Sequence, residues 1–263
     1  MMGRDAALTC EARTATDSTC LLHALQQVVV RGRTHTAFWA LKWGARIAAA
    51  TSMERNQPGL WLEFGAWSGK STREIANFAY NLSEQVYSFD SFLGLPEDWR
   101  RADGGLRDHG RITRSFLSTG SFSRAGKPPY TDPRIDWRIG WFNETLPQFL
   151  GEPAFAHRNV SFLHMDADLY SSTDTVFRHL ERRIHPSAVM VFDELINYPE
   201  FEVHEMRALR ELQQRTGRSV RVLGTSAKEL FKSEREARDR LRHYGQEASH
   251  VGPFMQQATV ELL

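Results

Sequence analysis

Val160-Ser161-Phe162-Leu163-His164-Met165 and Ala188-Val189-Met190-Val191-Phe192 are almost unbroken apolar runs, and no other feature limits the fold of this chain as tightly. Short apolar runs without polar alternation belong to strands buried on both faces, the situation of a parallel sheet covered by helices. The chain from residue 60 onward fits that frame. Strands are predicted at 60–65, 86–90, 135–139, 160–165, 188–193, 219–223 and 254–262. Most are separated by helical stretches such as 70–82, 172–184 and 202–215. Alternation of this kind predicts an α/β fold, a mostly parallel sheet with helices on both faces.

Ahead of that region, residues 1–19 are rich in Ala, Thr and charge and are expected to be poorly ordered. Residues 21–53 read as two helical pieces. Leu21, Leu22, Leu25, Val28 and Val29 mark one apolar face; Phe38, Trp39, Leu41, Trp43, Ile47 and Ala48 mark the other. Aromatic faces at helical spacing are usually core or a subunit interface, so a homo-oligomer through these helices is one expectation and a lid over a ligand the weaker one. The chain divides on this reading into an extension, 1–54, and a domain, 55–263. A net charge of +1 gives no global attraction to DNA or to a membrane surface. No apolar run approaches the roughly 20 residues of a membrane span, and the start lacks a secretory apolar segment. Neither nucleic acid nor membrane is therefore expected as a partner. Cys10 and Cys20 are able to pair, but nothing in the sequence requires it, and without a disulfide framework a cytoplasmic location is expected.

Two segments interrupt the alternation. Residues 97–133 form a long polar connection carrying Arg100, Arg101, Arg107, Arg111, Arg114, Arg124 and Lys127, partly offset by acids. A connection this long within a domain is usually functional or disordered. Residues 228–247 read as a charged helix, with Glu234–Arg238 and Glu236–Arg240 at i,i+4, and suit a solvated face.

Chemistry-bearing residues cluster where the strands should end. Trp61-Leu62-Glu63-Phe64 runs into Gly65 and Gly69, four apart at the mouth of a helix, and the next strand ends in Asp90. A glycine turn followed by an acid at the next strand end is how Rossmann-like sheets hold a nucleoside and its ribose. The plainer alternatives are a tight turn without a ligand and a helix N-cap for Asp90. Further along, Asp166 and Asp168 follow one central strand and Asp193-Glu194 follow its neighbour. Converging carboxylates need a proton, a cap or a cation, and an all-oxygen set suits Mg²⁺ or Mn²⁺. Capping by Asp168 is the plainer reading. His164 reads as a satisfied buried histidine. His204, beside Glu205, reads either as a pocket residue with a catalytic role or as a surface histidine.

Gly65–Ser71 ends in Gly-Lys-Ser, and Val189–Glu194 resembles the acidic strand of a P-loop NTPase. The P-loop requires four residues between its glycines, however, and this chain has three. Glu63 would also stand close to the phosphates. An acid there better suits a cationic nucleoside without phosphate, and S-adenosylmethionine is one.

At this point the chain resembles the class I methyltransferases and, more narrowly, the macrocin O-methyltransferase family. The resemblance rests on EFGAWSGKST, FDSFLGLPEDW (Phe89–Trp99), GSF at 120–122, GWFNETLP (Gly140–Pro147), HMDADLYSST and VFDEL, in order across residues 55–225. It implies a seven-stranded Rossmann-like sheet, S-adenosylmethionine as donor and an O-methylated small molecule, a sugar or other secondary metabolite. It also implies a divalent ion held by Asp166, Asp193 and Glu194, where Glu194 replaces the family's usual second aspartate. Residues 123–133 and 196–206 depart from the family pattern. The cofactor set is then Glu63, Gly65, Ala66, Gly69, Ser71, Asp90, Ser91, Gly140, Trp141, Phe142 and Asp166. Glu63 and the glycines would face the methionine portion, Asp90 the ribose, and Trp141 with Phe142 the adenine. Asp166 doubles as the candidate base, His204 is a second catalytic candidate, and the 97–133 segment would close over the acceptor. A catalytically inactive nucleoside-binding protein is the remaining alternative.

Overall fold

The alternating segments assemble into one sheet in a computed structural model that describes residues 9–10, 19–30, 37–55, 59–82, 84–100, 107–108, 111–112, 116–198, 201–227, 230 and 256–263. Its strands are β1 (Thr9–Cys10), β2 (Leu60–Phe64), β3 (Val86–Asp90), β4 (Ile135–Ile139), β5 (Val160–Met165), β6 (Ile184–Phe192), β7 (Val220–Thr225) and β8 (Ala258–Leu262). They lie in the order β1-β7-β8-β6-β5-β2-β3-β4. The run β6-β5-β2-β3-β4 is parallel throughout. β8 runs antiparallel between β6 and β7, and β1 adds an antiparallel edge to β7. The seven expected strands are therefore present, with a two-residue eighth at the edge that is too short to carry a sequence pattern.

Among the described residues, six α-helices cover the sheet: α1 (Thr19–Val30), α2 (Ala37–Arg55), α3 (Lys70–Tyr80), α4 (Phe142–Gly151), α5 (Tyr170–Leu180) and α6 (Glu205–Thr216). Period-two alternation splits each strand between two cores. Trp61, Phe162, Val189 and Val191 meet α2 and α3 on one face. Leu60, Leu62, Phe64, Leu163, Met165, Met190 and Phe192 meet α1, α4, α5 and α6 on the other. Trp61 stacks on Phe162 with ring centroids 4.8 Å apart, joining the two adjacent strands.

Both N-terminal helices are core. Leu21, Ala24, Leu25 and Val28 of α1 are buried in one layer, and Leu41, Ala45 and Ala48 of α2 in the other. At Gly44 a Cβ would lie 2.4 Å from Val191 Cγ2, so α2 packs directly onto the side chains of β6. The side chains of Phe38 and Trp39 lie outside the described set. So do most of residues 1–19, the charged segment including Glu234–Arg238 and Glu236–Arg240, and the first part of the strand predicted from 254.

Cys10 and Cys20 form a disulfide between β1 and α1, their Cα atoms 5.6 Å apart. Disulfides persist in oxidising surroundings, so the cysteines no longer support the cytoplasmic expectation. Among the described residues, no helix is long and apolar enough to cross a membrane.

The chain lays β2, β3 and β4 outward in one direction, then returns to place β5 on the other side of β2. The order thus reverses between β2 and β5. Ligands of open α/β sheets bind at the carboxyl ends of strands flanking such a reversal.

Candidate active site

The turn after β2 is dictated by its neighbours. Gly65 has φ +88°, and a Cβ there would lie 1.8 Å from the carbonyl oxygen of Asp166. The Gly65 amide donates to Phe89 O at 3.0 Å, and the Asp166 amide to Phe64 O at 2.9 Å. Adjacent strand ends are thereby locked together. Gly69, φ +71°, precedes α3, and its carbonyl accepts the Tyr130 hydroxyl at 2.6 Å.

Asp90 spans the gap between strand ends. One oxygen accepts the amides of Ala66 and Trp67, both at 2.8 Å, and the other accepts the Phe92 amide at 2.6 Å. The carboxylate therefore shapes the glycine turn as well as facing the cavity.

Glu63 departs from expectation. It is fully buried beneath the turn, where Thr72 and Ser88 donate to Oε2 at 2.5 and 2.7 Å and His164 Nδ1 stands 3.0 Å from Oε1. It does not reach the cavity wall, because its side chain leaves the strand on the face covered by α3.

A cavity of about 990 Å³ opens above these strand ends. Ala66, Trp67 and Ser68 form one wall with Asp90 and Ser91, and Trp141, Phe142 and Asn143 form another. Trp99, Leu117 and Phe122 close part of the rim. The motifs from 89 to 99 and 120 to 126 meet there: the Leu95 amide donates to Ser121 O, and the Arg124 and Gly126 amides to Phe92 O. Trp67 and Phe122, both with positive φ, stand edge to face at 5.5 Å and remain partly exposed.

Opposite the turn lie the acids. Donor atoms of Asp166, Asp168 and Glu194 all lie within 4.8 Å of one another, and so do those of His164, Asp166 and Asp193. Burial pushes the Asp166 carboxyl well above the usual range, and the neighbouring charge of Asp193 adds to the shift. Glu194 is raised by the same two causes in the same order. Glu205, fully buried below them, is raised by burial and then by Asp168, although it accepts the amides of Ala167 and Glu194 at 3.4 and 3.3 Å. Glu194 Oε2 is buried with no hydrogen-bond partner. Gln257, just ahead of β8, donates to Asp193 Oδ1. Like charges packed this closely require a proton or a cation between them.

Of the residues predicted from sequence, Gly65, Ala66, Ser71, Asp90, Ser91, Trp141, Phe142, Asp166, Asp193 and Glu194 line the cavity. Glu63, Gly69, Gly140 and His204 do not. Gly69 packs under Pro129 and Tyr130, and Gly140 against Thr145. His204 stands ahead of α6 with its ring 6.2 Å from those of Trp99 and Tyr198, which packs it among aromatics. Asp168 holds φ +60° and directly precedes Leu169, the N-cap position of α5. His164 lines the cavity, contrary to the fully satisfied role expected of it: its Nε2 is buried without a partner. Its position near the end of the strand that leads into Asp166 was the available signal, since ligands of such sheets bind at the carboxyl ends of strands. Gln257 had none, being 64 residues from Asp193.

Known proteins bear on this geometry. Among curated proteins, none matches the sequence. Solved structures give weak likenesses. The calicheamicin methyltransferase CalS11 is 21% identical over 65% of this chain and 69% of its own, with a TM-score of 0.49. The O-methyltransferase NovP is 20% identical over 67% and 72%, with a TM-score of 0.46. An O-methyltransferase from Bacillus cereus in complex with SAH is 14% identical over 94% and 90%, with a TM-score of 0.45. Identities this low transfer neither an acceptor nor a residue role. The sequence profile of the methyltransferase domain, by contrast, matches residues 62–195, about half of the chain, from the glycine strand through the second pair of acids. A Rossmann-like α/β sheet, a cavity at its reversal point and that match together place the chain in the methyltransferase-domain family.

Proposed function

We propose that this protein is an S-adenosylmethionine-dependent O-methyltransferase that acts, with a divalent ion, on a hydroxyl of a small molecule. A sugar of the kind handled by the macrocin O-methyltransferase family is the first acceptor class to try. The observation that carries the reading is the cavity itself, which sets the Gly65–Ser68 turn and Asp90 on one side against Asp166, Asp168, Asp193 and Glu194 on the other. A volume of about 990 Å³ suits a nucleoside cofactor together with a small acceptor.

The acid side fits an ion. Its carboxylate donors are oxygens, Glu194 Oε2 lacks a partner, and Asp166 and Glu194 are too deeply buried, and then too crowded by charge, to ionise freely without compensation. When bound, such an ion lowers the pKa of a hydroxyl that it touches. The rest belongs to the chain. Asp166, Asp193 and Glu194 would hold the ion, and a carboxylate of the cluster, Asp166 or Asp168, would take the acceptor proton. Asp90 fixes the turn and offers its remaining lone pairs to ribose hydroxyls. Trp141 and Phe142 would flank the adenine. Methyl transfer is an in-line displacement, so most of the acceleration comes from holding oxygen, carbon and sulfur in line. Trp67, Trp99 and Phe122 at the rim keep water from that line.

Calorimetric titration with S-adenosylmethionine, its demethylated product and ATP tests the class. The first two are expected to bind and ATP is not; ATP binding alone overturns the reading. Turnover is then scored by mass spectrometry against a panel of hydroxylated sugars and phenols.

A further inference from the structure

One nitrogen in the acid cluster has no assigned task. His164 lies on β5, 1% exposed, with Nδ1 held 3.0 Å from Glu63 Oε1. Its other ring nitrogen, Nε2, is buried without a hydrogen-bond partner, and the residue forms part of the cavity wall. The histidine's donor atom lies within 4.8 Å of carboxylate oxygens of Asp166 and Asp193. Because Nδ1 is engaged by Glu63, Nε2 is the nitrogen left to face those oxygens.

The support behind the ring is also built. Glu63 Oε2 accepts Thr72 and Ser88, so the carboxylate cannot swing away, and Glu63, Thr72 and Ser88 are all fully buried. Burying a carboxylate and an imidazole costs several kcal/mol unless each is well partnered, and apolar residues would fill the same space at less cost. A proton on Nδ1, directed at Glu63, leaves Nε2 with a free lone pair on a residue of the cavity wall. A carboxylate that orients a histidine whose far nitrogen is free is the recurrent support of a metal-bound histidine.

We propose that His164 Nε2 is a ligand of the divalent ion, alongside Asp166 and Asp193, with Glu63 as its orienting partner. The proposal rests on the reading that these acids hold an ion, and it specifies the ion's class. Imidazole ligation favours first-row transition ions, whereas Mg²⁺ prefers oxygen donors and retains its waters. The site should therefore select Mn²⁺, or a later ion of that row, over Mg²⁺.

The test uses the full chain stripped with a chelator and loaded with Mn²⁺, read by pulsed electron paramagnetic resonance. A directly bound imidazole gives a ¹⁴N coupling that changes when the protein is grown on ¹⁵N-histidine. The wild-type protein is expected to show that coupling, and His164→Gln to lose it while weakening Mn²⁺ about 10- to 100-fold and Mg²⁺ by less than about 3-fold. Glu63→Gln should keep the coupling and weaken Mn²⁺ about 10-fold. The labelled wild-type measurement stands even if His164→Gln fails to fold. Mn²⁺ bound without nitrogen coupling overturns the proposal and leaves an all-oxygen ion site intact. Failure of both Mn²⁺ and Mg²⁺ to bind at millimolar concentration overturns the ion-assisted function as well.

Discussion

Gly65 is fixed by its neighbours before any cofactor is considered. Its left-handed backbone and the Asp166 carbonyl, 1.8 Å from where a Cβ would stand, both exclude a side chain. Gly65→Ala should cost at least about 2 kcal/mol of stability, from the left-handed conformation and from separation of β2 and β5. Urea denaturation reads the loss, and S-adenosylmethionine affinity should fall with it. Asp90→Ala removes the acceptor of three amides and should cost about 1–3 kcal/mol, while Asp90→Asn retains part of both stability and binding. Equal cofactor affinity in wild type and Asp90→Ala would withdraw the ribose assignment. These two residues were legible in the sequence because a strand, a glycine and an acid occur within one βαβ unit. Glu63 was legible as special but not in its role: period two puts its side chain under α3, and only the packed sheet shows His164 beside it. Gly140 and His204 stand beside motifs that line the cavity but do not line it themselves, because Gly140 packs against Thr145 and His204 against Trp99.

Among elements, β2, β3, β4 and β5 matched their predicted strands to within a residue, because long-range pairing and local apolar pattern agree there. Two elements were harder to read. α4 is ten residues with Pro147 inside it, a pattern that argues against helix until packing of Leu146 and Phe149 overrides it. β6 begins at Ile184 rather than 188, across Pro186 and a register shift that breaks its apolar run. α2 gives the clearest test at this scale. Gly44→Val would press methyl groups onto Val191 and Thr259, and should cost about 1–3 kcal/mol. A lower denaturation midpoint at unchanged slope is the expected signature.

For the molecule as a whole, the net charge of +1 conceals a concentrated negative centre. Asp166, Glu194 and Glu205 are held above the usual carboxyl range, so each favours its proton in the folded state. The stability gained this way is complete below the unfolded carboxyl range of about pH 4 and is lost as pH climbs through the raised values. The chelator-stripped protein should therefore melt at lower temperature at about pH 8 than at about pH 5. Saturating Mn²⁺ at 100 times its dissociation constant should restore about 2.7 kcal/mol and flatten that slope. A melting temperature indifferent to both pH and ion removes the cluster as an ion site. Asp132 behaves oppositely: hydrogen bonds from Arg134 lower it to about 2, so its contribution disappears only in strong acid.

β8 has a consequence for how the protein comes into being. Ala258–Leu262 is the wedge between β6 and β7, and Gln257, immediately before it, steadies Asp193. A nascent chain still short of that wedge has two strands with bare edges and an unfinished acid centre. Completion of the sheet and of the acid cluster thus coincide in a single late docking event, so a chain cut short before residue 257 should expose two strand edges to other chains.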